Sequence, residues 1–226
     1  MRLLALETST LAGGVALLDG DRLVAEYVLD VSVTHSERLV ASVDRVLGDA
    51  GWGRGDLAAL AVSIGPGSFT GLRVGVSTAK GLAVALGIPI AAVPTLDAMA
   101  AGVPWAMLPV CPVLDARKGE VYASLYRWEA GGHRREWDYE ALAPDELGAR
   151  LDRLGSPVIV CGDGAASVRA TVARLLPSPA RVPSPATVGA LGMERLRLGD
   201  VVKPADLVPL YLRPSEAELK RRVANG

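Results

Sequence analysis

The sequence contains few of the residues that build metal sites and disulfide frameworks. Its 226 residues include two cysteines and two histidines. Cys111 and Cys161 are too few for a disulfide framework, and both lie in short apolar runs, which predicts buried, reduced thiols. His35 and His133 are far apart, and neither has a second histidine four residues on. The sequence therefore predicts no zinc or iron site built from its own side chains.

Excess charge and long apolar runs are also missing. The formal net charge of −1 provides no bulk attraction to nucleic acid or to an anionic membrane. No apolar run is long enough to span a membrane, and the run at residues 3–6 is too short for a signal-peptide core. We therefore expect a soluble, cytoplasmic protein with no membrane partner. Its hydrophobic content of 50% allows one sizeable core or two small ones.

The most distinctive segment is rich in glycine. A short apolar run ends at Ser63, a loop containing Gly65 and Gly67 follows, and the next residues predict a helix of about five turns over 69–86. A strand, a glycine loop and a helix can present free N–H groups to an anion. The glycine spacing, however, matches neither the dinucleotide motif nor the Walker loop. Ser68 and Thr70 are predicted to cap the helix.

Small residues recur at every fourth position of this helix. They are Gly71, Gly75, Ala79, Ala83 and Gly87. Glycine inside a helix costs about 1 kcal/mol relative to alanine, so a close contact with another backbone is expected to compensate. That backbone can belong to the chain's own sheet or a neighbouring helix, or to a helix of a second chain, and the spacing alone favours a contact within the chain.

The order of predicted elements repeats along the chain. The first half is predicted to contain strands at 3–7, 15–18, 22–29, 57–63 and 89–93, and helices at 36–50, 69–86 and 95–101. The second half is predicted to contain strands at 108–114, 120–127, 133–140 and 157–161, a strand of at most two residues at 181–182, and helices at 144–154, 167–176 and 186–198. We therefore predict a duplicated βββαβαβα unit in two lobes, residues 1–103 and 104–226. Residues 204–214 are expected to fold back across the core.

Three carboxylates lie where an apolar run breaks into a turn. They are Glu7, Asp115 and Asp163. In a two-lobed protein such groups can face a cleft and hold a magnesium ion bound to phosphate. They can equally bond their own backbone in the turn. The turn role is favoured for Asp163, and both roles stay open for Glu7 and Asp115.

Five motifs spread over nearly the whole chain carry a family resemblance. They are Leu4-Ala5-Leu6-Glu7-Thr8-Ser9; Thr34-His35-Ser36-Glu37; Gly65-Pro66-Gly67-Ser68-Phe69-Thr70-Gly71-Leu72-Arg73 with Ala79-Lys80-Gly81-Leu82-Ala83; Pro94-Thr95-Leu96-Asp97-Ala98; and Pro209-Leu210-Tyr211-Leu212-Arg213. Together they resemble the bacterial TsaB (YeaZ) family of threonylcarbamoyladenosine biosynthesis proteins. The resemblance implies an α/β fold of the actin-like, Hsp70-like (ASKHA) class with two lobes, the second truncated.

The resemblance also implies a function. A protein of this family is expected to be a non-catalytic subunit that binds TsaD, the transferase that modifies an adenosine beside the tRNA anticodon. The ATPase TsaE is expected to join the assembly, and tRNA to be contacted only through the complex. TsaD carries a His-x-x-x-His metal pair on a helix that corresponds to residues 95–101 here, which contain no histidine. No metal or other cofactor is therefore expected.

The same resemblance assigns roles to two sets of residues. The remnants of a degenerate nucleotide site are expected at Glu7, Asp115, Gly162 and Gly164. The first two helices are expected to dock TsaD, or a second copy of the chain when TsaD is missing, through Leu39, Val43, Val46, Gly71, Leu72, Gly75, Val76 and Ala79.

Two other functions stay open. One is a small actin-fold kinase or ATPase that uses Glu7, Asp115 and the glycine loop. The other is a direct tRNA-binding module, which the slightly acidic charge balance disfavours.

Overall fold

The computed structural model describes residues 1–30, 35–129, 131–176 and 182–213. The first half of the chain forms a five-stranded sheet with three helices. Its elements are β1 (Arg2–Glu7), β2 (Ala12–Asp19), β3 (Arg22–Asp30), α1 (His35–Asp49), β4 (Ala59–Gly65), α2 (Phe69–Leu86), β5 (Ile90–Pro94) and α3 (Thr95–Ala101). The strand order is β3-β2-β1-β4-β5, in which β1, β2 and β3 pair antiparallel and β1, β4 and β5 pair parallel. The predicted strand and helix order of this half is confirmed.

Both faces of this sheet are buried, which explains why its central strands are apolar throughout. On one face, Leu4 and Leu60 pack with the inner sides of α1 and α2. On the other face the inward residues are mostly small, among them Ala5 and Ala61. Small side chains on that face allow a helix to approach the sheet closely.

The second half forms another mixed sheet. As in the first sheet, antiparallel pairs lie on one side of a central strand and parallel pairs on the other. Its elements are β6 (Val110–Arg117), β7 (Glu120–Ala123), β8 (Tyr126–Glu129), β9 (Gly132–Arg135), β10 (Glu140–Leu142), α4 (Pro144–Asp152), β11 (Val158–Cys161), β12 (Ala173–Leu175) and α5 (Pro185–Arg197). The main order is β10-β7-β6-β11-β12, and β8 pairs with β6 and β9. Mixed α/β structure with two sheets agrees with the predicted actin-like fold.

The helix predicted at residues 167–176 is wrong. This segment contains the end of a short 3-10 turn (Ala165–Ser167) and the strand β12, which pairs parallel with β11. Asp152 explains the difference, because its Oδ1 accepts hydrogen bonds from the backbone nitrogens of Thr171 at 2.8 Å and Val172 at 3.2 Å. Those two N–H groups are therefore held in a turn directly before β12. The predicted strand over residues 181–182 is not found at Val182, and Arg181 lies outside the described residues.

Helix α5 packs on the first sheet although it belongs to the second half of the sequence. Gly189 and Gly192 lie directly over Ala5 and Ala61, where a Cβ on either glycine would collide with the sheet. Ser184 caps the helix by accepting from the backbone nitrogen of Ala186 at 3.1 Å. Helix α5 thus covers one face of the first sheet, and the division after residue 103 stays a prediction.

The segment after α5 crosses back over the first lobe. Val202 bridges to Ile90, Leu207 is buried in the first core, and the Leu210 nitrogen donates to the Ile64 oxygen at 2.7 Å. Arg213 then forms an ion pair with Glu120 of the second lobe. None of the helices in the described ranges is long and apolar enough to cross a membrane.

Candidate functional site

The glycine loop between β4 and α2 packs against the turn that follows β1. Gly67 lies against the backbone oxygen of Ser9, which leaves no room for a Cβ, and the Ser68 nitrogen donates to the same oxygen at 2.6 Å. Ser68 caps α2, because its side chain accepts from the Gly71 nitrogen at 3.3 Å. The predicted Ser68 cap is confirmed, and the loop glycines serve this close contact.

The eight residues predicted to contact a partner are buried within this one chain. Leu39, Val43 and Val46 belong to the core between α1 and the first sheet. In α2, Gly71 and Gly75 face Thr8, whose Oγ1 donates to the Gly71 carbonyl oxygen at 2.8 Å. The prediction that these side chains meet a partner is corrected here, since the small-residue stripe packs on the chain's own β1 turn. The eight residues predicted to contact a partner are Leu39, Val43, Val46, Gly71, Leu72, Gly75, Val76 and Ala79.

The outer faces of α1 and α2 carry a different set of residues. On α2, Ser77, Gly81 and Ala85 are exposed and recur at every fourth position. Val84 beside them is 71% exposed, and Val40 on α1 is 55% exposed. A Cβ added at Gly81 would meet no atom within 4 Å. The two helices contact each other, so their outer faces form one surface with small residues and exposed valines, from which the charged side chains of Asp44, Arg45 and Arg73 also protrude. We call this surface the outer helix face.

The sequence contains the signal for this surface. The spacing that marks Gly71, Gly75 and Ala79 also holds for Ser77, Gly81 and Ala85, which lie on another side of the same helix. Sequence reasoning missed the second set because small exposed residues look like ordinary surface. Burial separates the two sets, and burial is known only from the fold.

A cleft of about 430 Å³ separates the glycine loop from the second sheet. From the first lobe it is lined by Ser9 and Thr70, and from the second by Asp115, Arg117 and Asp163. Phe69 and Tyr211 stack at its edge with ring centroids 4.9 Å apart. This position corresponds to the cleft predicted for a nucleotide.

The predicted remnants of a nucleotide site are engaged within the chain. Glu7 is fully buried, and its Oε1 accepts from the Ser9 nitrogen at 2.5 Å. Asp115 accepts from the Arg117 nitrogen at 2.7 Å and pairs with the Arg117 side chain at 3.2 Å. Both carboxylates therefore have the turn role that the sequence left open. Asp115 also lines the cleft, whereas Glu7 is not among the lining residues.

The glycine turn after β11 is filled by the protein itself. A Cβ on Gly162 would collide with the Val113 oxygen, and one on Gly164 would lie 2.9 Å from the Leu114 carbonyl carbon. Between these glycines, Asp163 accepts from the Asp115 nitrogen at 2.9 Å. Loss of water around its carboxyl group and the nearby Asp115 raise the pKa of Asp163. Gly162 and Gly164 thus bring the turn against β6.

Cys111, Cys161 and His133 have different surroundings in the structure. Cys111 and Cys161 are free and buried, as predicted, and burial raises the pKa of the Cys161 thiol to about 12. The His133 Nε2 lies 3.0 Å from the Val103 oxygen, and the side chain of His35 lies outside the described residues. Within the parts of the chain that the structure describes, no three metal-binding side chains come together.

Sequence comparison connects the chain with proteins of tRNA modification. The family model described as TsaD, tRNA N6-adenosine threonylcarbamoyltransferase, matches residues 29–144. The tRNA threonylcarbamoyladenosine biosynthesis protein TsaB of Bacillus subtilis is 35% identical over 97% of this chain and 97% of its own length. The Escherichia coli protein of the same name is 36% identical over 73% of this chain and 72% of its own.

Structure comparison gives the same connection. YeaZ from Pseudomonas aeruginosa superposes with a TM-score of 0.81 at 30% identity, covering 93% of this chain and 99% of that one. Component A of the (R)-2-hydroxyglutaryl-CoA dehydratase of Acidaminococcus fermentans superposes with a TM-score of 0.52 at 14% identity, over 87% and 99% of the two chains. This second likeness concerns the fold alone, which is actin-like.

Proposed function

Because this chain belongs to the TsaB family of tRNA threonylcarbamoyladenosine biosynthesis proteins, we propose that it is a non-catalytic subunit that binds and supports a TsaD-like transferase. In this role it works in the cytoplasm, where tRNA is modified. A TsaE-like ATPase joins the assembly, and tRNA is contacted only through the complex. Without the transferase, two copies of the chain pair with each other.

The observation that carries the docking proposal is the composition of the outer helix face. Ser77, Gly81 and Ala85 leave a line without protruding side chains, along which a partner helix can approach closely. Val40 and Val84 supply apolar area that is exposed in the single chain. Lasting interfaces are apolar and densely packed at their centre, and these residues offer that combination.

The buried glycine stripe has an indirect part in this proposal. Gly71 and Gly75 hold α2 close to Thr8 and β1, which fixes the height of the helix above the sheet. A partner then meets a helix pair that is already positioned, so little ordering is required on binding. The eight residues first expected at the interface thus support the surface from beneath.

The proposal that this chain has no catalytic activity of its own rests on the residues around the cleft. Gly162 and Gly164 pack on β6, and the Glu7 carboxylate serves the turn after β1. A nucleotide bound here would need open space at the glycine turn and carboxylate oxygens that are available to it. The residues are engaged by the chain itself, which supports a degenerate site.

One observation favours the alternative of an ATP-binding kinase or ATPase. The cleft is about 430 Å³, which falls within the range of about 300–1,000 Å³ that is usual for ligand pockets, and Arg117 lines it. Calorimetry with ATP and magnesium separates the two functions. The scaffold proposal expects no saturable binding to the isolated chain, and the alternative expects binding and turnover.

The scaffold proposal is tested with the transferase from the same cell. The TsaD-like protein, the TsaE-like ATPase and tRNA are incubated with and without this chain, and threonylcarbamoyladenosine is measured in the digested tRNA. Modification should require the chain although the chain alone forms no product. Full modification without the chain, or product formation by the chain alone, would contradict the proposal.

A further inference from the structure

A second and larger cavity lies between α5 and the hairpin formed by β8 and β9. Its volume is about 750 Å³, and none of the described residues that line it lines the cleft discussed above. Helix α5 contributes Leu191, Glu194 and Leu198, and the hairpin contributes Trp128 and His133. Helix α3 contacts both elements, so the cavity spans the two lobes. A volume of this size is typical of small-molecule sites.

Several ionisable groups with shifted pKa values surround this cavity. Burial raises the pKa of Tyr126, and the Asp97 carboxylate raises it further. Burial lowers the pKa of His133, against the opposing effect of its hydrogen bond to Val103. Burial disfavours the charged form of Arg135 and lowers its pKa. Tyr139 and Asp97 have a larger effect in the opposite direction, so the pKa of Arg135 is raised. Such shifts are frequent at functional sites, and here they accompany a cavity of suitable size.

The three arginines in the wall are all engaged, Arg195 and Arg134 by carboxylates and Arg135 by an aromatic ring. Arg195 contacts Asp200 at 2.8 Å and Asp97 at 3.9 Å. The Arg135 guanidinium lies 4.2 Å from the centre of the Tyr139 ring. The third guanidinium is held by two carboxylates, since Arg134 contacts Glu129 at 2.8 Å and Glu136 at 3.1 Å. A further anion would therefore find each of these arginines already engaged.

Glu194 is the exception among these charges. It is exposed at the rim, and its carboxylate forms no ion pair or hydrogen bond with any residue of the described ranges. Trp128 lines the same cavity, and its ring lies 5.0 Å from that of Trp105, which is 76% exposed. The cavity thus combines one uncompensated negative charge with aromatic and aliphatic surface.

We propose that this cavity binds an organic cation, namely an alkylguanidinium or alkylammonium group on an apolar stem. Glu194 provides the counter-charge, Trp128 provides an aromatic face for the cation, and Leu191 and Leu198 contact the stem. The cation can belong to a free small molecule or to an arginine or lysine side chain of a protein. This site is independent of the outer helix face and of the scaffold function.

The test titrates the full chain with n-butylguanidinium, using n-butylurea as a neutral ligand of the same shape. Calorimetry and tryptophan fluorescence report binding. The guanidinium compound should bind saturably and at least about fivefold more tightly than the urea, which is the effect of one ion pair at a partly exposed site. Equal binding of the two ligands, or no saturable binding of either, would overturn the proposal.

Variants identify the residues that bind the cation. Glu194→Gln should weaken n-butylguanidinium binding about fivefold, and Trp128→Leu by a similar factor. Glu146→Gln is the matched control, because Glu146 is exposed on α4 and does not line the cavity. Wild-type affinity in both Glu194→Gln and Trp128→Leu would refute the assignment. Spermidine and N-acetyl-arginine amide are then compared, and the tighter ligand distinguishes a free cation from a protein side chain.

Discussion

Thr8 occupies the space into which a side chain on Gly75 would point. The Thr8 hydroxyl lies against the position of the missing Cβ and donates a hydrogen bond of 2.8 Å to the Gly71 carbonyl oxygen, one turn earlier in α2. Helix and strand are therefore held at a separation that requires glycine at residue 75. Gly81, on the same helix, has no neighbour within 4 Å of its Cβ position. The same residue type thus serves close packing at one position and an open surface at the other.

The first prediction compares alanine at these two glycines. Gly75→Ala should lower the free energy of unfolding by about 1–3 kcal/mol, because Thr8 must move and its buried hydrogen bond must break. Gly81→Ala should raise it by up to about 1 kcal/mol, since alanine favours the helix and meets no obstacle. Urea unfolding of both variants measures the difference. A Gly75→Ala variant as stable as the wild type would show that the stripe is not tightly packed.

The second prediction concerns the joint between the lobes. Asp97 Oδ1 on α3 accepts hydrogen bonds of 2.7 Å from the hydroxyls of Tyr126 and Tyr139, both in the second half of the chain. Tyr126→Phe should lower the free energy of unfolding by about 1.5–3 kcal/mol, the value for a hydrogen bond to a charged group. Tyr122→Phe is the control, because no hydrogen bond of its hydroxyl is found among the described residues. Equal stabilities of the two variants would contradict the role of Asp97.

The third prediction is a pH dependence that arises from His133. Burial lowers the pKa of this histidine below its ordinary value of 6.5, so below that pH the unfolded chain takes up a proton before the folded chain does. The folded state therefore loses stability as the pH falls from 6.5 through the lower pKa of the folded protein. His133→Gln should lose less stability than the wild type between pH 7 and pH 5. Urea unfolding at both pH values tests this, and identical losses in the two proteins would exclude the effect.

The sequence predicted most of the fold because hydrophobic periodicity reports burial within one element. It predicted the ends of α2 and α3 correctly and the strand and helix order of the first lobe. It did not predict β12, because that segment is held by hydrogen bonds to Asp152, which is distant in the sequence. It also did not predict that α5 covers the first sheet, since the fit of Gly192 on Ala61 depends on tertiary packing.

The candidate site was predicted less completely. Motifs identified the family, and the glycine stripe identified α2 as a helix with an unusual contact. Periodicity shows that residues share a side of a helix, but it does not show which side faces the sheet. The side of Gly75 proved to be inward and the side of Gly81 outward. Only the packing of Thr8 against α2 distinguishes them.

The most direct test of the central claim, docking through the outer helix face, uses arginine at Gly81. Because the Cβ position of Gly81 is open and arginine favours a helix more than glycine does, Gly81→Arg should keep the isolated chain folded, which its circular dichroism spectrum checks. Ala149→Arg, at an exposed position of α4, adds the same side chain away from this face. The dissociation constant for the TsaD-like transferase is then measured for wild type and both variants. We predict that Gly81→Arg weakens binding by about thirtyfold or more, the effect of losing a central contact, and that Ala149→Arg does not. Wild-type affinity of a folded Gly81→Arg variant would contradict the account.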